Sequence, residues 1–226
     1  NAPSATLLVG SGGTANLSGT STFANFTHSG GMLGGSGTLS LSGGWAPSGG
    51  SILNAGLTLL PGSTSMLSGV TVGGSGAITN QGTLTLANSS LSGNLDNQGV
   101  LSVSGTSSVS GALFNQTAGI IALPAGATLN KSGGTFNWLG GAIGTGPADT
   151  GTLAMVSGAT FSATGGGARV LDGPTLPVAN FTVAGGSLTL QSGALNAAGT
   201  TTIVGGATLA VQGGTFNAAG GTVDVA

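Results

Sequence analysis

Seven side chains of this 226-residue chain can exchange a proton or carry charge: Asp96, Lys131, Asp149, Arg169, Asp172, Asp224 and the single histidine, His28. General acid–base catalysis needs two positioned groups whose pKa values are driven apart. Four of the charges fall within 131–172, and the spacing of Lys131 and Asp149 matches one unit of the repeat that runs through the chain. Asp149 and Asp172 each sit in a turn sequence, Ala148-Asp149-Thr150-Gly151 and Leu171-Asp172-Gly173. Nothing local places a second carboxylate beside either, so no catalytic residue and no enzyme activity is expected. Repeat-type calcium binding requires aspartates that recur in Gly-rich loops, and these four are isolated. One histidine and no cysteine exclude an ordinary zinc or haem site and any disulfide framework. No metal and no cofactor is expected. Trp45 and Trp138 have two readings, a stacking platform for a sugar or the filling of a core corner. Six Asn-x-Ser/Thr triplets, at Asn16, Asn25, Asn88, Asn115, Asn130 and Asn180, matter only in a glycosylating host.

Two cations cannot neutralise a phosphate backbone, which argues against nucleic acid as a partner. No apolar run approaches the roughly 18–20 residues of a membrane helix, so no membrane span is expected. Only 3% of residues are charged, against about 25% in an ordinary domain. Gly, Ser, Thr, Ala and Asn make up about two-thirds of the chain. Without a period, that composition reads as disorder; with one, it reads as a repeat fold.

A period is present. Asn80-Gln81-Gly82 returns as Asn97-Gln98-Gly99, and Asn115-Gln116 opens a looser third copy. The step is short, about 17–18 residues, and self-similarity at a regular step marks a repeat architecture. Further on, Gly133-Gly134-Thr135-Phe136-Asn137 returns unchanged as Gly213-Gly214-Thr215-Phe216-Asn217. Within each unit a glycine precedes two apolar residues spaced by one: Leu84 and Leu86 after Gly82, Leu101 and Val103 after Gly99, Leu188 and Leu190 after Gly186. Alternation of period two predicts strands with one buried face. Such short coils bury their apolar residues only by stacking on one another. The expected fold is all-β, a single right-handed parallel β-helix or β-solenoid over 1–226, with coils of about 17–20 residues. Residues 1–33 are expected to form less regular first coils, and an irregular insertion falls near 140–151. Leu84, Leu86, Leu101, Val103, Ile121 and Leu123 should point inward.

The scarcity of charge follows from stacking. Equivalent positions of successive coils lie about 5 Å apart, so a repeated charge would face its own copies. Amides repeat without that penalty and bond along the stack. Asn80, Asn97 and Asn115 are expected to form one such ladder, and Asn196 and Asn217 another.

The Asn97–Val103 unit and the Gly133–Ile143 stretch resemble the β-strand repeats of large secreted bacterial surface proteins, the filamentous-haemagglutinin-type adhesins and autotransporter passengers. The resemblance covers most of 34–226. It implies a right-handed parallel β-helix on the outside of a cell, and no catalytic motif of such proteins is matched. The expected role is a structural subunit or segment of an extracellular fibre or stalk. It would assemble end to end, with itself or with flanking parts of a longer polypeptide. Val223 and Val225, on a strand that stops in mid-pattern, are the candidate assembly edge. The alternative is an adhesin passenger that binds glycans or proteins.

Overall fold

Leucine or valine on one side of a strand and serine or threonine on the other leaves a row of backbone groups that must find partners. In the computed structural model, which describes residues 2–48, 51–218 and 223–225, those partners lie in the neighbouring coil. Every described strand pairing is parallel, and the strands fall into three sheets of 12, 8 and 11 members. A typical coil runs from Gly56–Leu59 on the twelve-stranded face to Thr64–Ser68 on the eight-stranded face. It then continues to Thr71–Gly73 on the eleven-stranded face. The next coil repeats the circuit with Ile78–Asn80, Thr83–Ala87 and Ser90–Leu91. About 11 turns stack in this way, a rod on the order of 50 Å at about 4.8 Å per strand. No helix occurs among the described residues.

The early coils differ. Thr20–Ser29 and Thr38–Ser48 are single long strands with a register shift between Phe23 and Asn25. Thr38–Leu41 pairs with Gly56–Leu59. Further along the same strand, the Trp45 N–H donates to Ser65 Oγ at 2.9 Å. One strand therefore turns a corner and serves two faces.

The coil length expected from the repeat is too narrow a range. Side chains bonded across adjacent coils are 17 residues apart at Asn80 and Asn97, 22 at Asn115 and Asn137, and 25 at Thr135 and Thr160. The longest of these coils contains the strandless stretch 144–151. Turns absorb the extra residues because only the strands must keep register.

Leu84, Leu86, Leu101, Val103, Ile121 and Leu123 are fully buried, as the alternation predicts. Stacking places like over like: Phe114, Phe136, Phe161 and Phe181 form a column with ring centroids 4.8, 5.5 and 5.5 Å apart. The glycine of the Asn-Gln-Gly repeat has a steric origin. A Cβ at Gly99 would collide with the Gly82 carbonyl oxygen, and one at Gly119, where φ is +66°, would collide with that of Gly99. The corner stacks backbone directly on backbone and has no room for a side chain.

Candidate functional site

The buried amide ladder comes from the inward positions at the end of each strand of the twelve-stranded face. Asn80 Nδ2 donates to Asn97 Oδ1 at 2.7 Å and to the Val100 carbonyl at 2.9 Å. Asn97 Nδ2 donates to Gln116 Oε1 at 2.8 Å and to the Ile120 carbonyl at 3.1 Å. Gln116 Nε2 ends the ladder on the Ala118 carbonyl at 2.7 Å. The third rung is thus Gln116, not Asn115. Leu95 registers with Phe114 and Asn97 with Gln116, which turns Asn115 to the outer surface. There it accepts from Asn137 Nδ2 at 2.9 Å. Asn217 Nδ2 donates to Asn196 Oδ1 at 2.7 Å in an exposed ladder. Four other asparagines work at corners: the Oδ1 atoms of Asn54, Asn88, Asn94 and Asn180 accept the N–H groups of Ser75, Thr106, Leu113 and Thr200 in the next coil.

Among the described residues the charged side chains are not brought together. Lys131 is wholly buried, and its Nζ donates to the Gly111 carbonyl at 2.7 Å and to that of Gly133. Arg169 is wholly buried and donates to the carbonyls of Thr164 at 2.9 Å, Gly165 at 3.2 Å and Gly185 at 2.5 Å. Burial pushes both cations below their ordinary pKa values. Asp149 Oδ2 accepts from the Thr145 N–H at 2.9 Å and its hydroxyl at 3.0 Å, a local turn within 144–151. Asp172 accepts from the Ser192 hydroxyl at 2.6 Å. Asp96 accepts from Gln98 Nε2 at 2.7 Å and from the Thr117 hydroxyl at 2.5 Å. Among the described residues no group of three or more His, Cys, Asp or Glu side chains is placed to share a metal ion. No helix among them is long and apolar enough to cross a membrane.

The inward cations have a sequence signal. Gly167-Ala168-Arg169-Val170-Leu171 follows the same glycine-plus-alternation pattern, with arginine in the first inward slot. Lys131 likewise follows Leu129 by two.

Both tryptophans are buried, which removes them as a surface for sugar stacking. Trp138 Nε1 donates to the Gly141 carbonyl at 3.3 Å. Trp45 stacks in parallel on Phe26 at 6.4 Å, and Phe26 stacks on His28 at 4.9 Å. His28 is buried, with Nε2–H donating to the Gly31 carbonyl at 2.7 Å and Nδ1 without a partner. Burial lowers its pKa, and the bond to Gly31 offsets this only in part. The folded state therefore holds His28 neutral where the unfolded chain begins to protonate. Stability should fall as pH drops below the unfolded value of about 6.5, by at most about 1.4 kcal/mol per pH unit. Denaturant midpoints of the parent and of His28→Gln at pH 7.5 and pH 5 check this. The parent should lose more than the variant on acidification, and equal losses refute it.

One groove, of about 490 Å³, lies where the eleven-stranded face turns toward the twelve-stranded face. Met155, Pro177, Val178, Ala179 and Ala197 line it, with the Asn196–Asn217 ladder on one side. Proline within a strand cannot donate to the preceding coil. Pairing between Thr152–Val156 and Thr175–Val178 is accordingly confined to Thr152 and Thr175. The coils part beyond that point, and Met155 is only half-buried.

At the candidate assembly edge, Val223–Val225 pairs with Thr201–Ile203, and Val223 is about half exposed. The Val225 side chain lies outside the described residues. Comparison with protein-family models, with curated proteins and with solved structures gives no match. The fold and its ladders define the class of this chain, a β-solenoid repeat protein.

Proposed function

We propose that this chain is a structural subunit or segment of an extracellular fibre or stalk, extended by end-to-end stacking of solenoid coils. The observation that carries this reading is the employment of its ionisable groups. Lys131, Arg169, Asp96, Asp149 and Asp172 all bond within or between coils, so they hold the stack rather than converge on a substrate. The likeness of the repeats to filamentous-haemagglutinin-type and autotransporter passengers supports the same role and a place outside the cell. A terminal coil edge has unpaired backbone groups on one side. Beside it here are exposed Val211 and Val223 and partly buried Leu209 and Phe216. A further coil, from a second copy or from adjoining polypeptide, would pair the first and cover the second. The stacking is heterologous and leads to open filaments rather than closed dimers.

The groove beside Pro177 favours the second reading, an adhesin passenger, since a concave apolar surface with two amides on its rim suits a ligand. Electron microscopy of the protein at rising concentration separates the two. Filaments with a continuous solenoid axis are expected in low salt and at about 1 M alike, because screening acts only on charges. Val223→Lys with Val225→Pro should leave rods that no longer lengthen end to end. Filaments formed as readily by this variant, or no filaments from the parent, would overturn end-to-end growth through this edge.

A further inference from the structure

The outward rows of the three faces differ in chemistry. On the twelve-stranded face the row runs Thr79, Asp96, Asn115, Asn137 and Ser162. On the eleven-stranded face it runs Thr106, Thr128, Thr152 and Thr175. On the eight-stranded face four successive rungs are apolar, Val100, Ile120, Ala142 and Val170, with Thr83 before them and Thr189 after. Val100 is 37% exposed, and the other three are partly exposed. The only charged residue in the described strands of this face, Arg169, points inward and is buried.

The order of these rungs is close to a palindrome. The apolar four are the third to sixth of eight strands, so they lie at the centre of the sheet. A two-fold axis parallel to the strands, lying in the plane of contact and passing over that centre, would set Val100 against Val170, Ile120 against Ala142 and Thr83 against Thr189. That is an apolar centre with a hydroxyl rim, the usual anatomy of an interface. It is also self-complementary, as an isologous pair requires. We infer that the eight-stranded face is a lateral docking surface for a second copy of this chain, laid antiparallel and face to face. Eight strands about 4.8 Å apart and about four residues wide make roughly 500 Å² per copy, near the roughly 1,000 Å² total at which specific interfaces begin. The pairing is therefore weak for one rod and cumulative for many rods in line. It does not depend on end-to-end stacking.

Sedimentation velocity across a concentration series reads the pairing. With end-to-end growth blocked by Val223→Lys and Val225→Pro, the chain should show a reversible monomer–dimer equilibrium. Val100→Lys with Val170→Lys, both at surface positions, should weaken it about 100-fold or more, because like charges then oppose one another across the contact. Thr128→Lys with Thr152→Lys on the eleven-stranded face should leave it unchanged. The chain has no cysteine, so orientation can be read by cross-linking. Val100→Cys mixed with Val170→Cys should form a disulfide-linked dimer, and Val100→Cys alone should not. The Val223→Lys, Val225→Pro variant should still pair laterally, which separates this contact from end-to-end growth. An edge-blocked chain that stays monomeric at its highest soluble concentration, or a lysine pair on this face without effect while circular dichroism is unchanged, would overturn the proposal.

Discussion

Arg169→Ala is expected to destabilise the solenoid by about 3–5 kcal/mol, because it leaves several buried carbonyls without a donor at about 1–3 kcal/mol each. The guanidinium enters the corner between the twelve- and eight-stranded faces. It donates there to carbonyls at Thr164, Gly165 and Gly185, which belong to consecutive coils. One buried cation serves these three carbonyls and, at a longer 3.5 Å, that of Trp138, at bond strengths of about 1.5–3 kcal/mol for each close contact to a charged donor. Arg169→Met separates this from simple packing. Methionine fills most of the volume but donates nothing, so it should lose nearly as much as alanine. A methionine variant within about 1 kcal/mol of the parent would show that the carbonyls do not depend on the guanidinium. Trp138 lies in the adjoining coil, and its fluorescence during urea unfolding reports on this region.

Phe136→Ala should cost about as much, about 3–5 kcal/mol for a large aromatic removed from a closed core. Phe136 is fully buried, edge-on to Phe114 at 4.8 Å and stacked on Phe161 at 5.5 Å. Its loss breaks two aromatic contacts, worth about 0.5–1.5 kcal/mol each beyond burial, and leaves a void between coils. In a solenoid each coil touches only its neighbours, so the damage should stay local. Hydrogen exchange should accelerate in the coils around 114–161 and stay near parental values around 57–86. Phe161→Ala should cost less than Phe136→Ala, because Phe161 borders a second, smaller hollow beside the Pro177 groove and is slightly exposed. The reverse order in chemical denaturation would refute the account of the column.

Much of this protein was legible in its residues. Alternation of period two is local, so Leu84, Leu86, Leu101 and Val103 declared an inward face without any knowledge of their neighbours. The spacing of the Asn-Gln-Gly units then required those strands to stack, because coils so short cannot bury leucine alone. The near absence of charge was readable for the same reason. What lies above what was not readable. Register between coils is set by turns that absorb from none to several extra residues, and a shift of one exchanges inside for outside. That is why the third rung of the buried ladder is Gln116 and why Asn115 faces solvent, although the letters alone align Asn115 with Asn97. The partners of Lys131 and Arg169 are carbonyls contributed by other coils, and no side-chain motif announces a carbonyl. The groove beside Pro177 and the apolar centre of the eight-stranded face exist only once the coils are in register. The residues alone dictate a stack of β-coils with an apolar interior. Which groups meet along the stack is fixed in three dimensions, because variable turns hide the register that brings them together.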